Sequence, residues 1–196
     1  MSDPVTHGID GIDVIDHLAG EGEGGQIARL RSLRPQARDN AQRSYEALLE
    51  PTDPGSVPLR ERYAVAAYVA QLHGPGPAAE LYLENLRDED EGLAALIAAG
   101  RSTGEQHLDA GLAHAELLVQ RPREAAPAHL RALEATGWDA DGIVTLSQLV
   151  SFLTFQLRVA HGLAVLAENP APSAHPAPAT HPAPATHGAP TTEETR

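Results

Sequence analysis

Large apolar residues in this chain recur every three or four positions and nowhere alternate. That regularity removes most fold choices, because a half-buried strand needs period two and a surface helix needs period 3.6. Ala37, Ala41, Tyr45, Leu48 and Leu49 share one helical face, as do Ala64, Ala67, Tyr68 and Leu72, and again Leu108, Leu112, Ala115 and Leu118. Aromatic residues make up only 4% of a chain that is 42% hydrophobic. The core must therefore be built from Leu, Ala, Val and Ile, which suits helices packed closely through alanine better than a sandwich of sheets. The expected fold class is all-α.

Glycine and proline divide the pattern into segments. Helices are expected over Asp10 to Leu18, Gln26 to Leu33 and Pro35 to Glu50, with GEGEGG at Gly20 to Gly25 as a break. The loop PTDPGSVP precedes a strong helix from Leu59 to His73, which Gly74-Pro75-Gly76-Pro77 must end. Pro77 opens the next helix, to about Arg87. Further helices are expected over Gly92 to Ala99, Gly104 to Gln120 and Glu124 to Ala135, the last with Gly137 as C-cap. Asp139 or Asp141 then caps a long helix to about Leu166. The organisation read from this is an N-terminal helical extension over 1–58, a helical core over 59–168 and a tail over 169–196. The tail repeats HPAPAT and holds almost no large apolar residue, so it is expected to be disordered with polyproline II character.

The net charge of −13 argues against nucleic acid and against anionic membrane surfaces as partners. The start, MSDPVTHGIDGIDVID, has neither a basic n-region nor an apolar h-region, so no secretory signal is expected. The longest apolar segment, Ile143 to Leu166, is interrupted by Gln148, Gln156, Arg158 and His161, which reads against a membrane span. A cytoplasmic protein without membrane attachment is the expectation. All 14 basic residues are arginine, so Schiff-base lysine chemistry is out of reach. The absence of cysteine removes disulfides, thiolate metal sites and thiol redox chemistry.

Three segments together resemble one family. Leu59 to Leu86, LRERYAVAAYVAQLHGPGPAAELYLENL, is similar to the core segment of the carboxymuconolactone decarboxylase / alkylhydroperoxidase D-like (CMD) superfamily. HLRALEATGWDADGIVTLSQLVSFLTFQLRVAHGL resembles its C-terminal part, through Phe155, Arg158, Val159, Ala160, Gly162 and Leu163. RPQARDNAQRSYEALLEP resembles the N-terminal portion of a CMD-domain subfamily. The resemblance implies an alkylhydroperoxidase D-like helical domain that forms a homo-oligomer. It also implies LRERE followed by an apolar run and Gly-Cys-x-x-Cys-x-x-x-His. In this chain the second Glu place is Tyr63, the two Cys places are Pro75 and Ala78, and the His place is Tyr82. The proton relay of the family is therefore missing at every place.

The candidate catalytic residues are Glu61, Tyr63, His73 and Tyr82, and the candidate binding residues are Arg158 and His161. Glu61 fits the first Glu of LRERE, but two positions along a helix turn a side chain by about 200°, so it does not replace the second. Tyr63 and Tyr82 either hydrogen-bond across a pocket or pack with satisfied hydroxyls. A tyrosine, with an unperturbed pKa near 10, is a poor base at neutrality. His73 either faces the old thiol position or simply ends its helix, where the dipole favours it. Arg158 is expected to be buried on an apolar helix, and so to need an acid such as Glu61, Glu80 or Glu84, a bound anion, or a subunit interface.

No metal site and no cofactor are expected. His107 and His114 lie two turns apart, about 10 Å in rise, too far to share one ion. His175, His181 and His187 in the tail are spaced by six, and flexible chain opposes tight metal binding there. The acidic run Asp88 to Glu91 is expected to cap the next helix. GEGEGG follows a weak helix rather than a strand and is not a nucleotide loop. Two functions stay open. One is an accessory or ligand-binding subunit, not competent as a thiol peroxidase by itself, beside a thiol-bearing alkylhydroperoxidase-like partner. The other is a non-thiol acid/base enzyme acting on a small organic acid or lactone.

Overall fold

The computed structural model describes residues 13–20 and 25–169. The expected helix start at Asp10, most of GEGEGG, and the tail with His175, His181 and His187 lie outside them. The described residues form helices α1 (Val14–Leu18), α2 (Gln26–Ser32), α3 (Pro35–Leu49), α4 (Leu59–Leu72), α5 (Pro77–Glu89), α6 (Glu91–Ala98), α7 (Gln106–Gln120), α8 (Pro127–Ala135) and α9 (Ala140–Glu168). Among them there is no strand, and the all-α expectation holds.

The helix ends follow local chemistry. Asp13 caps α1, Asp90 caps α6 by accepting from the Leu93 N–H at 2.9 Å, and Asp139 caps α9 by accepting from the Gly142 N–H at 2.6 Å. The acidic run does supply a cap, and of the two aspartates weighed for α9 it is Asp139 that serves. Helix α8 starts at Pro127 rather than Glu124. A separate 3₁₀ turn occupies Pro122–Glu124, and Ala126 is extended before Pro127, as a residue preceding proline prefers to be.

Helix α4 is the centre. Tyr63 through Ala67 and Val69 are fully buried, and α4 packs against α5, α9, α7, α6 and α3. A helix apolar on every face must be enclosed, and its alanines let the neighbours approach closely. Helices α1 and α3 lie on α9, and their Val14, Ile15, Tyr45 and Leu49 join the same core as α4. Two buried aspartates fasten this end. Arg31 bonds both Asp13 and Asp16, the latter at 2.6 Å, and Arg38 reaches Asp16 at 3.1 Å.

The buried arginine of this chain is not Arg158 but Arg62. Arg158 is exposed on α9, with no acid from Glu61, Glu80 or Glu84 at ion-pair distance. It looks outward because Gln156, Leu157 and Ala160 take the inner face of that turn. Arg62 is 4% exposed and is paired with no acid; its Nε donates to the Val57 carbonyl at 2.8 Å and its two terminal nitrogens to Leu48 at 2.7 Å and Pro54 at 2.8 Å. Burial alone lowers its pKa from the usual arginine value. The guanidinium thus fastens the end of α3 and the following loop to α4.

Replacing Arg62 with Met removes three donors from carbonyls that are largely out of water. At about 1 kcal/mol for each, Arg62→Met is expected to cost about 3 kcal/mol in denaturant unfolding. A loss below about 0.5 kcal/mol would show that water serves those carbonyls equally well.

A candidate anion cleft at the α4–α5 turn

Helix α4 stops because the backbone at Gly74 turns into the left-handed region (φ 109), where a side chain is strained, and Pro75 cannot continue the hydrogen-bond ladder. His73 is left at the C-terminal end of α4, with part of its surface exposed to solvent and part against the turn. Pro77 opens α5 immediately, so the turn stays tight. Helix α9 runs beside it and brings in Arg158 and His161, and the end of α1 closes the third side with Leu18, Ala19 and Gly20. The cleft measures about 350 Å³. Its walls are Ala70, Leu157, Ala160 and Ala164 together with the turn, and among the described residues no acid lines it. Burial first, and the charge of Arg158 second, lower the pKa of His73. His73 is therefore neutral near pH 7 and takes up a proton more readily once an anion offsets Arg158.

Three of the six candidates named from the sequence, His73, Arg158 and His161, meet in this cleft. The other three do not line it. Tyr63 and Tyr82 are fully buried in the core, near Tyr45. The Tyr82 hydroxyl donates to Gln156 Oε1 at 2.8 Å, and Gln156 is itself fully buried. Burial pushes the pKa of both tyrosines well above the ordinary value, so neither serves as a base. Gln156, read from the sequence as a polar interruption of α9, is the partner that satisfies Tyr82.

Glu61 has a different neighbour. Its Oε2 lies 3.6 Å from His107 Nε2, at the start of α7. His107 is held in place twice: its ring stacks on Trp138 with centroids 4.4 Å apart, and its Nδ1 lies 3.1 Å from the Thr136 carbonyl. A carbonyl only accepts, so Nδ1 carries a proton and Nε2 of the neutral ring is an acceptor facing a carboxylate. Burial raises the pKa of Glu61, partly offset by His107 and Arg60 and reinforced by Glu105. Sequence reasoning weighed His107 only as a metal ligand and missed this role. The signal was the Gly137-Trp138 turn: Trp138 Nε1 donates to the His107 carbonyl at 2.9 Å, and the indole lies against Gly111, where an added Cβ would sit 2.6 Å from it.

A carboxyl whose folded pKa is raised binds its proton more tightly folded than unfolded. Its contribution to stability is present below the ordinary glutamate value of 4.5 and is lost as pH rises through the higher folded value. In Glu61→Gln that fall is expected to disappear, so thermal melts of wild type and variant should diverge in pH dependence just above 4.5. Parallel profiles would show that Glu61 has an ordinary affinity for its proton.

The chain matches no protein-family model and no curated protein.

Proposed function

We propose that the protein is a helical ligand-binding module that holds a small organic anion in the α4–α5 turn cleft. The observation that carries this reading is the meeting of His73, Arg158 and His161 in a largely apolar cleft of about 350 Å³ lined by no acid among the described residues, on a chain whose net charge is −13. Arg158 supplies a permanent charge and a planar pair of donors suited to a carboxylate. His73 becomes a second charged donor when the anion raises its pKa. The N-terminal end of α5, at Gly76 to Ala78, adds a positive dipole end on the same wall. This agrees with the accessory, ligand-binding role implied by resemblance to Cys-free CMD-domain proteins, in which any thiol step belongs to a partner. Of the four groups named for the competing acid/base enzyme, Glu61, Tyr63 and Tyr82 do not line the cleft and His73 does, so that reading would rest on His73 with Arg158.

Arg158→Met removes an exposed, unpaired charge and is expected to leave the free protein within about 0.5 kcal/mol of wild type. Wild type should gain about 2.7 kcal/mol from succinate, a dicarboxylate, at a hundred times its Kd, and Arg158→Met should lose that gain. Equal stabilisation of both proteins by succinate would refute the cleft as the binding site.

The implied homo-oligomer is assigned to α9. This helix has 29 residues and a mean hydropathy of 1.5 over its most apolar window, long and apolar enough by length and composition to cross a membrane, yet only 28% of that window is buried. Its large exposed apolar residues are Val144, Phe155, Val165 and Leu166. Val144 and Leu166 each stand eleven residues from Phe155, which is three turns to within about 20°, so all three share a stripe. A two-fold axis at Phe155 therefore sets Val144 of one copy against Leu166 of an antiparallel second copy. From Gly142 to Ala167 the only charge is Arg158, so two acidic chains meet there without opposing carboxylates. Sedimentation should show a concentration-dependent dimer that Phe155→Asp converts to monomer. A wild type that stays monomeric, or binds anionic or neutral vesicles as a monomer, would overturn the assignment.

A further inference from the structure

A second cavity, of about 210 Å³, lies between α7 and α8, away from the cleft described above. Its walls are Ala110, Ala113, Leu117, Ala132 and Leu133, and three nitrogen-bearing side chains, His114, Arg121 and His129, stand around it. The tautomers of both histidines follow from their neighbours. His129 Nδ1 accepts the Ala126 N–H at 3.1 Å, closing the start of α8, so in the neutral ring the proton sits on Nε2. His114 is 6% exposed, and its Nδ1 is buried with no hydrogen-bond partner. A buried N–H without a partner costs more than a buried weak acceptor, so the His114 proton also sits on Nε2. Among the described residues no acid lines the cavity. At its rim Arg121 lies 3.5 Å from Glu124, with both side chains more than half exposed, so that pair holds the guanidinium weakly.

We infer that the α7–α8 cavity is a binding site for a small monocarboxylate with a compact apolar body, which places its carboxylate on Arg121 and the Nε2–H groups of His114 and His129 and its body on the alanine and leucine wall. Three donors with no lining acid fit an anion. The alanines of the wall supply the room, because they are the smallest side chains two packed helices can present. Burial first, then the adjacent His129, lower the pKa of His114. The empty site thus holds a neutral His114, and a bound carboxylate reverses the balance and favours its protonation. The site differs from the α4–α5 cleft in every lining residue, and the inference does not rest on the reading of that cleft.

The test uses benzoate as probe and benzamide, its uncharged analogue of similar shape, as control, with nitrogen-15 chemical shifts of the histidine rings as readout on the full chain. Benzoate is expected to shift His114 and His129 saturably and to raise the pKa of His114, whereas benzamide leaves both unmoved. Arg121→Gln, an exposed position, is expected to weaken benzoate at these two rings about tenfold, the size of one charge-assisted hydrogen bond. Arg158→Met is expected to leave the shifts intact, which separates this site from the cleft. His114→Phe, which fills the same space without a donor, should abolish the shift at His129 while the protein keeps its helical circular dichroism. Equal effects of benzamide and benzoate, unchanged affinity in Arg121→Gln, or no saturable shift at either histidine would each overturn the inference.

Discussion

The guanidinium of Arg62 is the interaction on which the arrangement depends. Helix α4 occupies the centre with Tyr63 through Ala67 enclosed on all sides, and that apolar stretch offers nothing to fix where the preceding loop should lie. Arg62 supplies that fix. Three donors in one rigid plane reach Leu48, Pro54 and Val57, which set the end of α3 and the loop against α4. A lysine could not do this, since its three donors radiate from a single point. An acid partner would have made an ion pair whose desolvation cancels much of its attraction. Carbonyl partners avoid burying a second charge, and they satisfy backbone groups that the proline-containing loop, with fewer N–H donors, leaves unserved.

The placement of charge elsewhere follows a division of labour. Acids stand mainly at helix N-termini and in pairs: Asp13 and Asp16 with Arg31 and Arg38, and Asp90 and Glu105 with Arg60. These contacts join helix ends to one another and leave two cavities lined only by apolar groups, histidines and arginines. An acidic chain repels anions at long range, so local sites free of acid are where an anion's approach is compensated. Both cavities also hold a histidine whose pKa is lowered before anything binds. In the proposed reading, an anion bound at either cavity would therefore favour proton uptake by its histidine.

How much of this the sequence revealed depends on the range of the interaction. Helices α3, α4, α7 and α9 were legible because their signals are local: Pro35, the Gly74 to Pro77 break and the Asp139 cap act within a turn of the residues they control. The meeting of His73 with Arg158 and His161 was only partly legible. Each residue stood out in its own segment, but nothing local brings residues 73 and 158 together. Arg158 was read as buried because its neighbours are apolar, whereas a helix places adjacent residues about 100° apart, and the inward direction went to Leu157. The same reasoning passed over Arg62, which sits among charged residues in LRER and looks like surface. Glu61 with His107, and His114 with His129, were illegible for the same cause, since partners on different helices leave no spacing to count.

The turn that lacks cysteine gives the last step. Resemblance assigns the two thiol places to Pro75 and Ala78, and both line the anion cleft beside His73. The places it assigns to the second Glu and the His of the relay, Tyr63 and Tyr82, are closed inside the core, with the Tyr82 hydroxyl committed to Gln156. Under that resemblance the two sets of places differ in kind. At Pro75 and Ala78 the side chains are inert and stand at open space. At Tyr63 and Tyr82 the side chains are closed in by packing and do not reach that space. The two tyrosines thus serve the packing, and what stands at the space is an arginine, two histidines and the end of a helix.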